Sequence, residues 1–320
     1  MIRQELIPLA APDAWREALR DVPHEVWHTW EHCAALALTV PHEIFLYRYE
    51  AGPVRVVAPL LERRLGPHVD IATLPGFAGF VATSGDPDFP RHWEGFARDR
   101  GYVCGYLGLH PFLGDPLDFD PLEGSNSVYV LDLRRGPDAL FAALDRNRRR
   151  QLKDWEQTSA GLLRDRDELT GFLVREYPAF LERIGASSAY RRSPETLERL
   201  CNLENVLLVG AGEGGEVEAV HVFAWTPHAG TSLFSVSRPE GRRYTTTLLW
   251  QGVQELVARG VPLLNLGGGV REDDGVARAK QRFGAARLPL RCSKQVYQPE
   301  VYTELCRGHA ANGYFPAYWS

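Results

Sequence analysis

Residues 235–269 read "SVSRPEGRRYTTTLLWQGVQELVARGVPLLNLGGG". The first residues close a strand, "GTSLFSVSRPE", whose small and apolar side chains suit a pleated, half-buried surface. "TTTLLWQGVQELVARG" follows with apolar residues at helical spacing and stops at Gly260, a residue suited to ending a helix. "PLLNLGGG" is then a short buried strand entering a glycine turn. Strand, helix and strand within 35 residues place this half of the chain in the α/β class.

Working outward, "VLLVGAGEGGEVEAVHVFAWT" predicts two strands about a Gly-rich turn, and "LPLRCSKQVYQ" a final strand before the helix "PEVYTELCRGHAA". Upstream, "RRGPDALFAALDRN" predicts a helix opened by Pro137, and the basic run after it can divide the helical stretch in two. "ELTGFLVREYPAFLERIG" and "SPETLERLCNL" predict further helices. The N-terminal half has a similar order. The helices "APDAWREALRDV" and "EHCAALAL" precede a hairpin, "HEIFLYRYE" and "VRVVAPLLERR", turning at Gly52-Pro53. The strand "VDIATLPGFAGFVA" runs into a Pro-Gly loop, and "HWEGFARDRG", "YVCGYLGL" and "NSVYVLDL" add a helix and two strands. Two copies of one mixed α/β layout, divided near Arg135, are expected from element order.

The 320 residues suffice for two domains, and 44% apolar composition fills their cores. Net charge is −5, so a polyanion would have to meet a local basic patch. No run of about 18 apolar residues predicts a membrane span, and Gln4, Glu5 and Pro8 interrupt any secretory apolar segment, so a cytoplasmic location is expected. The five cysteines, Cys33, Cys104, Cys201, Cys292 and Cys306, are scattered without a CxxC pair, which argues for reduced thiols and against zinc.

Four stretches, in order, resemble the Fem family of aminoacyltransferases and the wider FemAB-like group within the GNAT acyltransferase superfamily. They are "YLGLHPFL" (106–113), "VYVLDL" with the basic helix "LDRNRRRQLKDW" (128–155), the stretch at 235–269, and "AKQRFG" (279–284) before "VYQPEVYTEL". The resemblance implies two tandem GNAT-like domains, each a mixed, mostly antiparallel sheet flanked by helices. Residues 1–135 with 296–320 would form the acceptor side and 136–295 the catalytic domain. It further implies amide formation, by transfer of an aminoacyl group from aminoacyl-tRNA to an amine of a peptidoglycan precursor or a small-molecule intermediate. No cofactor or metal is implied, with aminoacyl-tRNA as co-substrate. Two other functions stay open: an acyl-CoA-dependent N-acyltransferase and a catalytically idle GNAT-like binding protein.

Only three of the 36 basic residues are lysine: Lys153, Lys280 and Lys294. Lys280 matches the family's lysine, although Ala279 stands where the family often has phenylalanine. Its implied role is to stabilise the oxyanion of ester aminolysis, for which a compact ammonium is suited and an arginine fork is not a substitute. The alternative is a solvated surface lysine. Arg146, Arg149, Arg150 and Lys153 fall at adjoining helical positions, forming either a ridge for tRNA phosphates or a solvated charged face. Arg242, Arg243, Tyr244 and Thr245 occupy the place where CoA-using GNAT enzymes carry a glycine-rich phosphate loop. The Gly-x-Gly/Ala spacing is missing here, which argues against acyl-CoA, and Thr245 or Thr246 serves as a helix cap with any ligand. Gly267, Gly268 and Gly269 permit close backbone approach to a ligand. Glu272, Asp273 and Asp274 are candidates to accept the amine proton, or form an exposed acidic loop. Phe77, His110 and Tyr190 are candidate substrate contacts or packing residues. The remaining histidines show no ligand spacing.

Overall fold

A computed structural model describes residues 2–114, 119, 122–187, 190–269, 274–309 and 314–319. The chain divides into two compact units, Met1–Asn126 with Pro289–Ser320, and Ser127–Leu288. The division lies earlier than Arg135 because β7 (Glu123–Asp132) pairs with β11 (Leu263–Gly268) from Val128 to Asp132, which assigns most of β7 to the second unit.

The first unit carries a sheet of β1 (Ile2–Pro8), β2 (Glu43–Ala51), β3 (Val54–Leu65), β4 (His68–Thr73), β6 (Cys104–Gly108) and β12 (Ala286–Val296), in that order, with the short β5 (Val81–Ala82) paired to β3. The β4–β6 pair is parallel and the other pairs within this unit are antiparallel. β1, absent from the sequence expectations, pairs with β2 from Ile2↔Ala51 to Pro8↔Phe45. Only Ile7 of its seven residues is buried, so its composition reads as polar, and it is the β2 edge that makes it a strand. The unit's helices include α1 (Pro12–Leu19), α2 (Trp30–Leu36) and α3 (Phe89–Asp99), and α3 buries Phe89 and Trp93 against Tyr47 and Phe80, the Tyr47 and Trp93 rings meeting edge-on at 4.9 Å. The C-terminal residues complete this unit. Tyr318 Oη and Trp319 Nε1 donate to Asp70 Oδ2 at 3.0 and 2.6 Å, while Arg63 Nε donates to Asp70 Oδ1 at 2.5 Å.

The second unit orders its strands β7, β11, β10 (Gly230–Ser237), β9 (Glu216–Trp225) and β8 (Val206–Glu213). Here β10 and β11 run parallel and the other pairs antiparallel. The basic segment divides into α4 (Gly136–Ala143), α5 (Arg146–Gln151) and α6 (Trp155–Ala160). α7 (Arg166–Arg183) and α8 (Pro194–Cys201) precede the β8–β9 hairpin, and α9 (Thr245–Ala258) packs on the sheet. Among the described residues, no helix is long and apolar enough to cross a membrane.

The seating of α9 is what positions the site. Leu248, Gly252, Val253 and Leu256 are buried along its inner face, and Phe223 of β9 lies fully buried beneath it. Burying a side chain of that size is worth about 1.5–3 kcal/mol, and it requires space. Gly252 supplies the space, since a Cβ there would stand 2.1 Å from the Phe223 ring. Alanine in a helix is ordinarily favoured over glycine by about 1 kcal/mol, while forcing a methyl group into a filled core costs about 1–3 kcal/mol. Gly252→Ala is therefore expected to lower stability despite its better helix propensity. A urea unfolding midpoint at or above that of the wild type would show that α9 is not held this closely.

Candidate functional site

The centre of the second sheet is opened by two strands that part. β10 pairs with β9 from Gly230↔Trp225 to Ser237↔Ala219. Its parallel pairing with β11 covers only Gly230↔Leu264 and Thr231↔Asn265 among the described residues. Past Thr231, residues Ser232, Leu233 and Phe234 are half-buried and Ser235 is exposed, although β10 lies inside the sheet. The register of β10 on β9 slips between Ser232 and Phe234, and that of β11 on β7 between Asn265 and Gly268. At the second slip Gly267 adopts φ +76°, a conformation that disfavours any residue with a Cβ. The buried Asn265 side chain fixes the turn, its Oδ1 accepting the Gly267 N–H at 2.8 Å.

Lys280 reaches this opening from α10 (Gly275–Gln281), a short helix not expected from the sequence. Asp274 caps it by accepting the Ala277 N–H at 2.7 Å, and Ala277 anchors it in the core. The Lys280 ammonium donates to the Gly268 carbonyl oxygen at 2.6 Å. That bond uses one of its three donors. Burial pushes its pKa down from 10.5 to about 8, with the Asp274 carboxylate opposing the shift. It remains charged at neutral pH, in poor solvation, beside an open wedge.

His221 of β9 shares this region. It is 4% exposed, stacks on Phe223 with ring centres 4.1 Å apart, and contacts Ser232 Oγ through Nε2 at 2.7 Å. Its Nδ1 is buried with no hydrogen-bond partner among the described residues. Burial, reinforced by the nearby Lys280 charge, lowers its pKa to about 3, so it is neutral. By sequence His221 falls among the histidines of no evident use. The available signal is its place in "VEAVHVFAW", a polar residue inside an otherwise apolar strand.

No family model and no curated protein matches the chain. Solved structures do. FemX superposes with a TM-score of 0.68 at 12% identity, over 94% of this chain and 99% of that one. The fold is FemX-like. The L-PGS structure from Bacillus licheniformis gives a TM-score of 0.57 at 11% identity, over 89% of this chain and 92% of that one. The C-terminal domain of a putative lysylphosphatidylglycerol synthetase from Agrobacterium fabrum gives 0.55 at 14% identity, over 93% and 96%. At these identities the likeness is one of fold.

Within this FemX-like fold the sequence candidates separate. Lys280 and Gly268 meet at the wedge, and Gly269 follows directly in the chain. Asp274 serves as the α10 cap, whereas Glu272 and Asp273 lie outside the described residues. Arg146, Arg149 and Arg150 stand exposed on α5, but the helix ends at Gln151 because Leu152 turns into the core. Lys153 is thus off the ridge, lining a hollow with Asp138, Phe141, Trp155 and Trp250. Arg148 turns inward instead. Its Nη1 donates to Thr246 Oγ1 at 2.6 Å and Gln151 Oε1 at 3.0 Å, across the first turn of α9.

The turn before α9, Glu240–Tyr244, holds Arg242 exposed and Arg243 paired to Glu213 and Glu218 at 2.8 and 3.1 Å. Tyr244 lies under the Arg243 guanidinium, and the Thr245 hydroxyl donates to the Arg242 carbonyl. Tyr190 is exposed in the second unit. In the first unit, Phe77 lines a hollow of about 570 Å³ together with Arg63, Tyr106, Arg291, Lys294 and Tyr314. His110 borders a hollow of about 330 Å³ with Phe112 and Arg291. Its imidazole is fully buried, bonded to Glu25 Oε2 at 2.9 Å, and it accepts the Phe112 and Leu113 N–H groups of its own turn.

A neutral, buried His221 has a consequence for acid stability. Its folded pKa lies below the unfolded value of 6.5, so between about pH 6.5 and 3 the unfolded chain binds a proton that the folded chain refuses. Stability should fall with pH across that window. Burial shifts His28 in the same direction, so the measurement is the difference between wild type and His221→Gln in urea midpoints from pH 7 to 4. A shallower decline in the variant is expected, and an identical decline would show that His221 takes up its proton without cost.

Proposed function

We propose that this protein is an acyltransferase that forms an amide by moving an aminoacyl group from aminoacyl-tRNA to an amine, carried by a peptidoglycan precursor or a small-molecule intermediate. The observation that carries this reading is the Lys280 ammonium, half-buried at the parting of β10 and β11 and tied by one donor to the Gly268 carbonyl. Aminolysis of an ester converts a neutral carbonyl into an oxyanion. A cation already held in a poorly solvated opening stabilises that charge without reorganising during the reaction. The C–N bond forms as the amine attacks, the ester C–O bond breaks, and the amine proton passes to the departing ribose oxygen.

Two features favour a tRNA ester over acyl-CoA as donor. The turn ahead of α9 offers no open glycine backbone for a pyrophosphate, because Gly241 is buried with its Cβ position 2.2 Å from the Glu218 carbonyl oxygen. The first turn of α9 is already engaged by Arg148 through Thr246. By contrast, Arg146, Arg149 and Arg150 present three exposed guanidinium groups suited to the phosphodiester backbone of a tRNA. For the acceptor, the first-unit hollow holds Arg63, Arg291 and Lys294 with Tyr106 and Phe77, a lining suited to an anionic or sugar-bearing amine.

The direct test is mass spectrometry of products from a full set of charged tRNAs with candidate amines. Amide formation abolished by RNase supports the reading, and RNase-resistant transfer from acyl-CoA overturns it. Lys280→Ala should lower kcat by about 10²–10³-fold with little change in KM, and Lys280→Arg should retain part of the activity. Because the ammonium loses its proton as pH rises through about 8, kcat/KM should fall on the alkaline side near that value. The fall should vanish in Lys280→Arg. Full kcat in Lys280→Ala with an unchanged melt would make Lys280 an ordinary lysine.

A second expectation concerns the α5 arginines. Replacing Arg146, Arg149 and Arg150 together by alanine should weaken tRNA binding. The slope of log affinity against log salt should become shallower by roughly one for each phosphate that the variant no longer neutralises. An unchanged slope between about 50 and 200 mM salt would return these side chains to a solvated face.

A further inference from the structure

His221 and Ser232 form a polar pair that the aminolysis step as described does not use. The imidazole is almost wholly buried in β9, and Ser232 is half-buried at the point where β10 loses its β11 partner. Their 2.7 Å contact joins His221 Nε2 to Ser232 Oγ, and His221 Nδ1 has no partner among the described residues. A neutral imidazole carries one N–H. If that hydrogen were on Nδ1, a donor would be orphaned in the interior, which costs more than leaving a lone pair there. The hydrogen-bond network therefore assigns the hydrogen to Nε2, with Ser232 Oγ accepting it. The nearby Lys280 cation disfavours a second proton on the ring. A serine oxygen that accepts from Nε2–H has its own hydrogen left to give, and Ser232 borders the opening.

Resting on the acyl-transfer reading above, we infer that Ser232 supplies a second hydrogen-bond donor to the carbonyl oxygen of the acyl donor, and that His221 is the positioning residue that keeps the hydroxyl donating. As the amine nitrogen bonds to the carbonyl carbon, the carbonyl π electrons move to oxygen, where the Lys280 ammonium and the Ser232 hydroxyl receive the negative charge. When the ester C–O bond breaks, the carbonyl re-forms and both donors relax. Ser232 gives up no proton, and the amine proton leaves with the alcohol. A neutral ring holds the Ser232 hydroxyl without placing a second cation beside Lys280. A protonated ring would add a buried like charge to Lys280.

Kinetics and the His221 tautomer test this together. Ser232→Ala should lower kcat by about 10–100-fold with KM nearly unchanged, and Ser232→Thr should restore most of the loss. His221→Leu should match Ser232→Ala, and the double variant should be no worse than either single one, because both remove the same donor. Thermal melts run beside the assays, and the half-buried Ser232→Ala keeps the test decisive if His221→Leu does not fold. In ¹⁵N-histidine-labelled wild type, the resonance that disappears in His221→Gln should report the Nε2–H tautomer. Normal kcat in Ser232→Ala, alongside a crippled Lys280→Ala, would overturn the inference and leave the acyl-transfer reading standing. If the wild type transfers from no charged tRNA, that reading falls. The inference, which needs an acyl donor, then falls with it, whichever tautomer His221 shows.

Discussion

The second unit depends on β11 leaving β10 after two residue pairs. A parallel pair that continued would consume the N–H and C=O groups of both strands and close the sheet. Here the Asn265 side chain takes the Gly267 N–H, glycine accepts the left-handed turn, and the Gly268 carbonyl accepts the Lys280 ammonium. Backbone groups released by the parting are thus satisfied by side chains, and the opening persists. Lys280 contributes to this arrangement as well as to the chemistry proposed for it, since the same Nζ that holds Gly268 has donors to spare.

Packing around the opening is tight where position matters. Gly252 lets α9 descend onto Phe223, and Phe223 in turn supports the stacked His221 ring. Gly241 lets the turn ahead of α9 close on Glu218, so the helix start is joined to the sheet through backbone contact rather than left as an open loop. Arg148 crosses from α5 to Thr246, with its guanidinium over the Phe283 ring at 5.6 Å. Its pKa is lowered by burial, which marks it as a structural cation among exposed neighbours. Of the five cationic residues in "RNRRRQLK", one braces the fold, three face solvent, and Lys153 lines a separate hollow.

Electrostatics within the wedge are set by incomplete compensation. The Lys280 ammonium is bonded to a neutral carbonyl, and Asp274, the carboxylate that opposes its shift, is committed to its helix cap. A lysine so held is pushed toward neutrality, and the histidine beside it is driven there. Both shifts share burial as their first cause.

Much of this was legible along the chain. The strand–helix–strand run at 235–269, the glycine turn, and the β8–β9 hairpin follow from hydrophobic period and turn residues, which are local properties. Lys280 stood out by rarity and by resemblance. What the sequence could not determine depends on neighbours distant in the chain. "IRQELIP" becomes a strand only because β2 offers it an edge, and the ridge expected through Lys153 ends early because Leu152 finds the core. That His110 is buried against Glu25 could not be read from the sequence. His221 carries no local motif at all. Its neutrality, its bond to Ser232 and its closeness to Lys280 arise when β9, β10 and α10 assemble. Burial and proximity are properties of that assembly, and they shift the charge state of a side chain from what its residue type has in water.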